Sequence, residues 1–576
     1  MFYATCLLVA ASGICYFIYA LYKARSLFRQ LQEDGCPMPP HHPLLGHLGL
    51  MMEICLSLPR DVIPTVVLAD QIRRRYPHLD RAFYLDLWPF SLPSLMVISP
   101  DLMRQVSQTE NSLPKVAFLK AYMKPISGGH DIVTMEGEEW KRWKDVFRPG
   151  FSQVTELVPA ILENIHVFRD LLANKSKIPG DGGAFQLHHS ALLLAMDMSG
   201  SALWGHDLQS QSRYNDMADA IISQLRWLLV EGFMPFAGLN FVRPLVHWYN
   251  ASRMERYLRK VQTEKKTTMD NDHCIIDRAI AKVKHREGRD KFAHLGGRSH
   301  FDKVIRSQMR FFLLAGYDTT GSTITYALHL LSQHPKDLAR VREEHDQVLG
   351  RDLTLAAQRL REDPHMINRV PYTTAVIKET LRLYPPASTI RHGREGFYLY
   401  DREKQGPGQM AKYPTAGFMV FGNHHGLHHN PRYWIDPEEF LPERFLVGNE
   451  GRSRLSPVQD AWRPFEKGPR VCMGQELAMV EIKAVLMLVV REFDISPAYD
   501  EWDKRMGQEK CEAKVGWGAL LPSSTIRHVA GDRVYQTTGG GGSHPADGYP
   551  CRVRIAKDRR KGACRVQFAK DCSDTV

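Results

Sequence analysis

A mainly α-helical domain with small β-sheets, preceded by one N-terminal transmembrane helix, is the fold class that this 576-residue sequence predicts. Three observations carry that prediction. Residues 1–22 contain no charge and are rich in Leu, Ile, Val, Phe, Tyr and Ala; at about 1.5 Å of rise per residue such a run spans the hydrocarbon of a bilayer. Residues 157–172, 190–203, 215–230, 301–333 and 372–383 space their apolar side chains with helical period. The extended runs, 83–87 and 95–99, are short and parted by Pro89 and Pro93, the pattern of a hairpin or small sheet.

Composition sets outer bounds. Hydrophobic residues make up 44% and charged residues 24% of the chain, which suits a globular protein with a sizeable core. A formal charge of +11 and a pI of about 9.0 could serve nucleic acid, an anionic membrane or an acidic partner. The lysines and arginines are scattered among acids, without basic runs or interleaved aromatics, so a nucleic-acid partner is not expected. Ten cysteines are widely spaced with no C-x-x-C pair, so neither a zinc site nor a disulfide framework is expected and a reducing compartment fits. The glycosylation sequons at Asn174 and Asn250 lose their meaning if the domain faces the cytosol.

Taken in order, the chain divides into an anchor (1–22), a basic and proline-rich hinge (23–48), one catalytic domain (49–555) and a basic C-terminal tail (556–576). Lys23, Arg25 and Arg29 come directly after the apolar run, and positive charge on that flank argues that the remainder of the chain is cytosolic. No charge precedes the run, which favours an anchor over a cleaved signal. Pro37, Pro39, Pro40 and Pro43 stiffen the hinge. Residues 112–134 read as a loop-rich lid over a pocket. Residues 138–147 read as a helix carrying Trp140, Trp143, Lys141, Arg142 and Lys144. In 233–241, Met234, Phe236, Leu239 and Phe241 suit either a second membrane contact or core. His424, His425, His428 and His429 lie among Gly422, Gly426 and Pro431, which suggests a surface loop without a metal role. Beyond Asp494 the chain looks irregular, with a flexible stretch at 539–542 and turns at 544–550, and its tail has no functional account.

The chemistry centres on Cys472. A cysteine that ligates iron must be a thiolate, which backbone N–H groups and positive charge stabilise. Gly468 and Gly474 let the backbone fold tightly around the sulfur, and from Met473 onward an apolar helix would turn its N-terminal dipole to it. The pattern Phe465-x-x-Gly468-x-Arg470-x-Cys472-x-Gly474 matches the haem-ligand signature of the cytochrome P450 family, which this protein resembles. The resemblance implies the cytochrome P450 fold and a haem b whose iron is held by the Cys472 thiolate. It also implies propionate contacts from Arg470, Arg391 and Trp140, with Lys144 standing where the family has arginine. That substitution keeps the charge but loses the planar fork.

A second constellation agrees. The middle of 301–333 reads Ala315-Gly316-Tyr317-Asp318-Thr319-Thr320-Gly321, polar residues that helix propensity would not place in a buried segment. Gly316 would leave room for a flat cofactor and dioxygen, and the Thr319 hydroxyl would bond the carbonyl four residues back. The resemblance makes Asp318 and Thr319 the proton relay of oxygen activation; taken alone, the threonines could simply back-bond and Asp318 pair with a cation. Glu379, Arg382 and Arg444 resemble the family's buried network that fixes the cysteine loop. Ala387, Ser388 and Thr389, before Arg391, would line the pocket.

The function expected from this resemblance is insertion of one oxygen atom from dioxygen into a hydrophobic small molecule. A specialised metabolite such as a polyketide or terpenoid is the first reading of the substrate, and a fatty acid the second. A haem-thiolate isomerase or dehydratase that does not use dioxygen is the alternative, and a haem-binding protein without turnover the third. No flavin or nicotinamide motif is evident, so electrons would come from a separate NADPH-dependent cytochrome P450 reductase, attracted by Lys141, Arg142, Arg463 and Lys467. The expected location is the endoplasmic reticulum membrane, single-pass, with the catalytic domain cytosolic.

Overall fold

The computed structural model describes residues 2–556 apart from 109–111, 179–182, 229–239, 268–273, 285–294, 402, 404–410, 447–453, 509–525 and 539–541. Helices dominate. The first, Phe2–Glu33, contains the one described segment long and apolar enough to cross a membrane. Leu7, Leu8, Ile14, Phe17 and Ile18 are exposed along it. Further on the same helix enters the body: Phe28 and Leu31 are buried, and Arg25 donates to Asp86 and, at 3.0 Å, to Leu44 O. Residues 23–33 of the expected hinge are therefore helical, because Leu27, Phe28 and Leu31 continue an apolar stripe with helical period. Arg25, expected to flank lipid, is an internal ion pair instead. The proline strap begins only at Pro37, whose carbonyl takes Tyr84 N at 3.0 Å.

The long helix Arg298–Gln333 crosses the body between Leu187–Trp204 and Gln475–Val489. Its glycines permit the close approach of the first of these neighbours. A Cβ on Gly316 would fall 2.5 Å from Ser199 Oγ, and one on Gly321 3.0 Å from Ala191 O. Gly316 thus serves helix packing, where the sequence suggested room for a cofactor.

A four-stranded sheet runs in the order Ala82–Leu85, Ser94–Val97, Met419–Gly422, Thr389–His392. Its middle pairing is parallel and the outer two antiparallel, and the register sets Arg391 opposite Val420. The expected lid, 112–134, contains a helix, Ala117–Ser127, ended by Gly128 at φ 79°. The region after Asp494 is built into the body as well. Strand Phe493–Pro497 pairs with Pro550–Ile555, which takes Phe185–Gln186 on its other edge. Gln536–Thr538 pairs with Ser543–Pro545. Strands of three residues are too short to show a period-2 pattern, which is why the sequence read there as turns. Residues 539–541 and the tail from 557 lie outside the described residues.

Met234, Phe236 and Leu239 also lie outside them. Phe241 does not, and together with Leu245, Trp248 and Tyr249 it forms an exposed apolar stripe at the start of helix Val242–Thr267, while Arg243 and Asn250 are buried.

Candidate active site

Cys472 sits in a tight turn: its N–H donates to Phe465 O at 2.9 Å, and Val471 N to Gly468 O at 3.1 Å. The steric demand for glycine is at Gly468, with φ +82° and a hypothetical Cβ 2.7 Å from both Gln108 Cα and Ser107 O. At Gly474 a Cβ would meet the sulfur at an ordinary 3.9 Å. Gly474 caps the helix Gln475–Val489, and the backbone N–H groups of Gly474 and Gln475 donate to the sulfur. Burial nevertheless pushes the thiol up, and the two donors offset it only in part. The cysteine is solvent-accessible yet enclosed by protein, so the surface it presents is that of an internal chamber.

Charge near the chamber rim is positive. Arg391 is buried and its Nε has no hydrogen-bond partner among the described residues. Lys115 is pushed down to about 7 by burial, then by the charges of Arg391 and Arg470. Burial lowers Arg470 to about 10 against the pull of Glu136. Three cations that repel one another, with Glu136 and Glu466 as the neighbouring carboxylates, make a place for an anion. Lys115 escaped sequence reasoning because a single lysine in a loop has no spacing to mark it.

The other predicted rim residues face the loop itself. Arg470 gives Nη2 to Met135 O at 2.8 Å and Glu136 at 2.7 Å, and its guanidinium lies 4.0 Å from the Trp140 ring centre. Lys144 donates to Pro469 O at 2.8 Å, with its ammonium 4.8 Å from the same ring. Phe465 packs edge-on against Trp462 at 6.0 Å. Of the four cations proposed for reductase docking, Arg463 is 1% exposed and bonded to Glu466 and, at 2.7 Å, to Ser107, so it belongs to the loop's interior. Lys141 stays exposed beside Glu138.

Glu379, Arg382 and Arg444 meet in a fully buried cluster. Arg382 grips Glu379 with two bonds, of 2.8 and 2.7 Å, and Arg444 Nε adds one of 3.1 Å. Arg382 also donates to the carbonyls of His428, Pro437 and Glu439 at 2.9, 2.6 and 2.9 Å. From there His428 carries the connection to the cysteine loop: its Nδ1 meets Arg382 O at 3.1 Å and its Nε2 accepts Arg463 N at 3.1 Å. The histidine cluster is therefore not a surface loop. It is a short helix, His424–His428, capped by Asn423, whose His424 also bonds Glu466 at 3.1 Å.

Opposite the cysteine, one strip of the long helix is open although its surroundings are buried: Ala315 is exposed and Thr319 half-exposed, while Leu314, Tyr317, Asp318 and Thr320 are buried. Thr319 Oγ1 donates to Ala315 O at 2.8 Å, as expected, and the helix stays unbroken. Phe151 ties this wall to the cysteine turn, stacking edge-on on Phe312 at 5.4 Å and lying 4.0 Å from a Cβ built on Gly474. Asp318 turns the other way, its Oδ1 accepting from His544 Nε2 at 2.8 Å. Among the pocket residues Ala387 is exposed, Ser388 Oγ takes His424 N at 3.2 Å, and Thr389 is packed into the sheet.

A haem fits this set: a sulfur with amide donors and, among the described residues, no cation bonded to it, a buried guanidinium with an unused donor, and a helix strip trimmed to Ala315. Comparison with known proteins agrees, for residues 82–513 match the model of the family described as Cytochrome P450. The chain belongs to the cytochrome P450 family. It is 41% identical over 96% of its length to the cytochrome P450 monooxygenase polC of Polytolypa hystricis, of which it covers 96%. It is 32% identical over 84% of its length to the cytochrome P450 monooxygenase acrF of Aspergillus aculeatus, covering all of it. The crystal structure of the cytochrome P450DA heme domain superposes with a TM-score of 0.65 at 20% identity, covering 91% of this chain and 98% of that one, which shows the shared fold. This cytochrome P450 is thus an oxidoreductase of the monooxygenase type, of a family that carries haem on a cysteine thiolate, draws electrons from a redox partner and acts on small molecules.

Proposed function

We propose that this cytochrome P450 inserts one oxygen atom from dioxygen into a hydrophobic specialised metabolite of polyketide or terpenoid type, with Cys472 as the thiolate that would hold the haem iron. The observation that carries the reading is the Cys472 turn, whose sulfur receives two backbone N–H groups and faces an enclosed chamber. Haem, when bound, supplies the iron at which dioxygen is reduced and split, one atom going to substrate and one to water. The chain's own residues supply the rest. Arg391 and Lys115 would bind the haem propionates, and Trp140, Arg470 and Lys144 brace the turn beside them. Thr319 holds a hydroxyl at the open strip, and Asp318 holds the proton-relay carboxylate behind it. Ala315 and Ala387 leave room for a bulky substrate. The fungal relatives named above support a specialised metabolite over a fatty acid.

Electrons would come from a separate NADPH-dependent reductase, docking near exposed Lys141. The apolar helix Phe2–Glu33 and the exposed stripe of Phe241, Leu245, Trp248 and Tyr249 support attachment to the endoplasmic reticulum membrane with the body in the cytosol. The test is the difference spectrum of the reduced protein with carbon monoxide: the thiolate band is expected in the wild type and absent in Cys472→Ser. A wild-type band at the position of imidazole-ligated haem sinks the proposal. In Thr319→Ala the band should persist while oxygenated product falls by about tenfold or more.

A further inference from the structure

Asp318 is the proton-relay acid of the proposed function, yet it does not face the chamber. Its Oδ1 accepts from His544 Nε2 at 2.8 Å, and both side chains are buried, with 3% and 8% of their surfaces accessible. Its Oδ2 lies 2.8 Å from where a Cβ on Gly542 would stand, so residue 542 can carry no side chain without displacing the carboxylate. Asp318 is thus bonded at Oδ1 and closely covered at Oδ2 by a segment 224 and more residues downstream, which carries the ladder of Gln536–Thr538 with Ser543–Pro545.

The same ladder is tied to the substrate side. Ser543 N donates to Pro386 O at 3.2 Å, and Gln536 Nε2 to Pro385 O at 3.0 Å. Those two prolines immediately precede exposed Ala387 and half-exposed Ser388, the pair expected to line the pocket. Behind the ladder stands His188, whose ring lies 4.5 Å from that of His544. Thr325 Oγ1 donates to Gly321 O at 2.9 Å and therefore receives the Nδ1–H of His188 at 3.2 Å. That leaves His188 Nε2 a buried acceptor with no partner among the described residues. Burial and the neighbouring His544 hold the His188 pKa well below the usual value, so His188 stays neutral and does not compete for Asp318.

We propose that His544 is the positioning residue for Asp318, and that the ladder carrying it couples occupancy of the chamber to the orientation of that acid. A molecule pressing on Ala387 and Ser388 displaces the Pro385–Pro386 carbonyls that hold the ladder, and with them the imidazole that turns Asp318 away from Thr319. The inference rests on the proposed role of Asp318, and the contacts that carry it are all made by the chain itself.

The experiment uses the full-length haem-loaded protein and the variants His544→Ala, His544→Gln, Asp318→Asn and His544→Ala/Asp318→Asn. The carbon monoxide band is recorded first; its absence from the wild type overturns the haem-thiolate reading, whereas its presence in all forms isolates the question of His544. Backbone hydrogen exchange is then measured across 536–545, with and without clotrimazole, a bulky azole whose occupancy is seen in the haem absorbance. His544→Ala and Asp318→Asn should each speed exchange about tenfold, the double variant no further than either single, and His544→Gln should restore protection by returning an N–H donor. Clotrimazole should change exchange of the ladder in the wild type and leave it unchanged in His544→Ala. Additive single effects, no restoration by glutamine, or a ladder indifferent to clotrimazole in the wild type would overturn the proposal.

Discussion

The turn that carries Cys472 and the helix strip opposite it are held by different means. On the cysteine side Arg382 and Arg444 converge on Glu379, five further backbone groups join them, and His428 and Arg463 hand the constraint on to the turn. The three charged side chains at its centre are buried, and most of its bonds are charge-assisted. On the oxygen side the long helix bonds chiefly to itself, through Thr319, Ser322, Thr323 and Thr325 reaching back four residues. Its links to other elements are single contacts such as Asp318 with His544. The cysteine side is held by many partners at once; on the oxygen side Asp318 has one hydrogen-bond partner from another element and can be re-aimed by moving it.

The largest test of this contrast is Glu379→Ala. Two buried guanidinium groups would lose their counter-charge, so the protein should lose about 3–5 kcal/mol of stability and fail to retain haem, read by thermal unfolding and the Soret absorbance. Glu481 lies between the two sides, on the ligand helix, bonded to Thr320 at a long 3.5 Å. Burial pushes it up to about 8, with Thr320 opposing. A folded pKa above the unfolded one means that the native state holds the proton, so stability is full below about pH 4.5 and is lost as pH rises toward 8. Glu481→Gln should remove that loss, on the order of 3 kcal/mol at pH 7, in urea unfolding from pH 5 to 8. Gly468→Ala, forcing a Cβ onto the backbone of Ser107 and Gln108 at φ +82°, should cost about 2 kcal/mol and shorten haem retention. The smallest effect is at the surface. Lys141→Glu should slow electron uptake from reductase severalfold at low salt and not at high salt, while leaving unfolding unchanged. Arg463→Ala should do the reverse, loosening the turn with no salt dependence.

How much of this could be read beforehand obeys the same division. The cysteine turn, Thr319 and the Glu379 cluster were legible because each is a local pattern of types at fixed spacing. What stayed hidden depends on tertiary placement: His544 meets Asp318 from 226 positions away, Lys115 has no pattern, and Gly316 faces a helix rather than a cofactor. His428 and His429 escape notice because histidines among glycines suggest a surface. Their backbone-bound, buried roles emerge only once the neighbouring strands are in place. Arg463 shows the complementary error, since a basic residue beside a functional turn is as well suited to buttressing it as to attracting a partner.

The helix Phe2–Glu33 has a practical consequence. Its exposed apolar turns and its buried turns form one unbroken rod, so residues 23–33, which the sequence assigns to a hinge, provide no swivel. A shortened protein that starts at about residue 23 would keep Phe28 and Leu31 as a plug in the body and keep Arg25 on Asp86. One that starts after Glu33 would uncover the aromatic neighbours of Phe28, His41 and Phe418, and leave Asp86 to His41 alone among its charged partners. Solubility gained by the longer cut would come at the expense of the very end of the molecule that seats it.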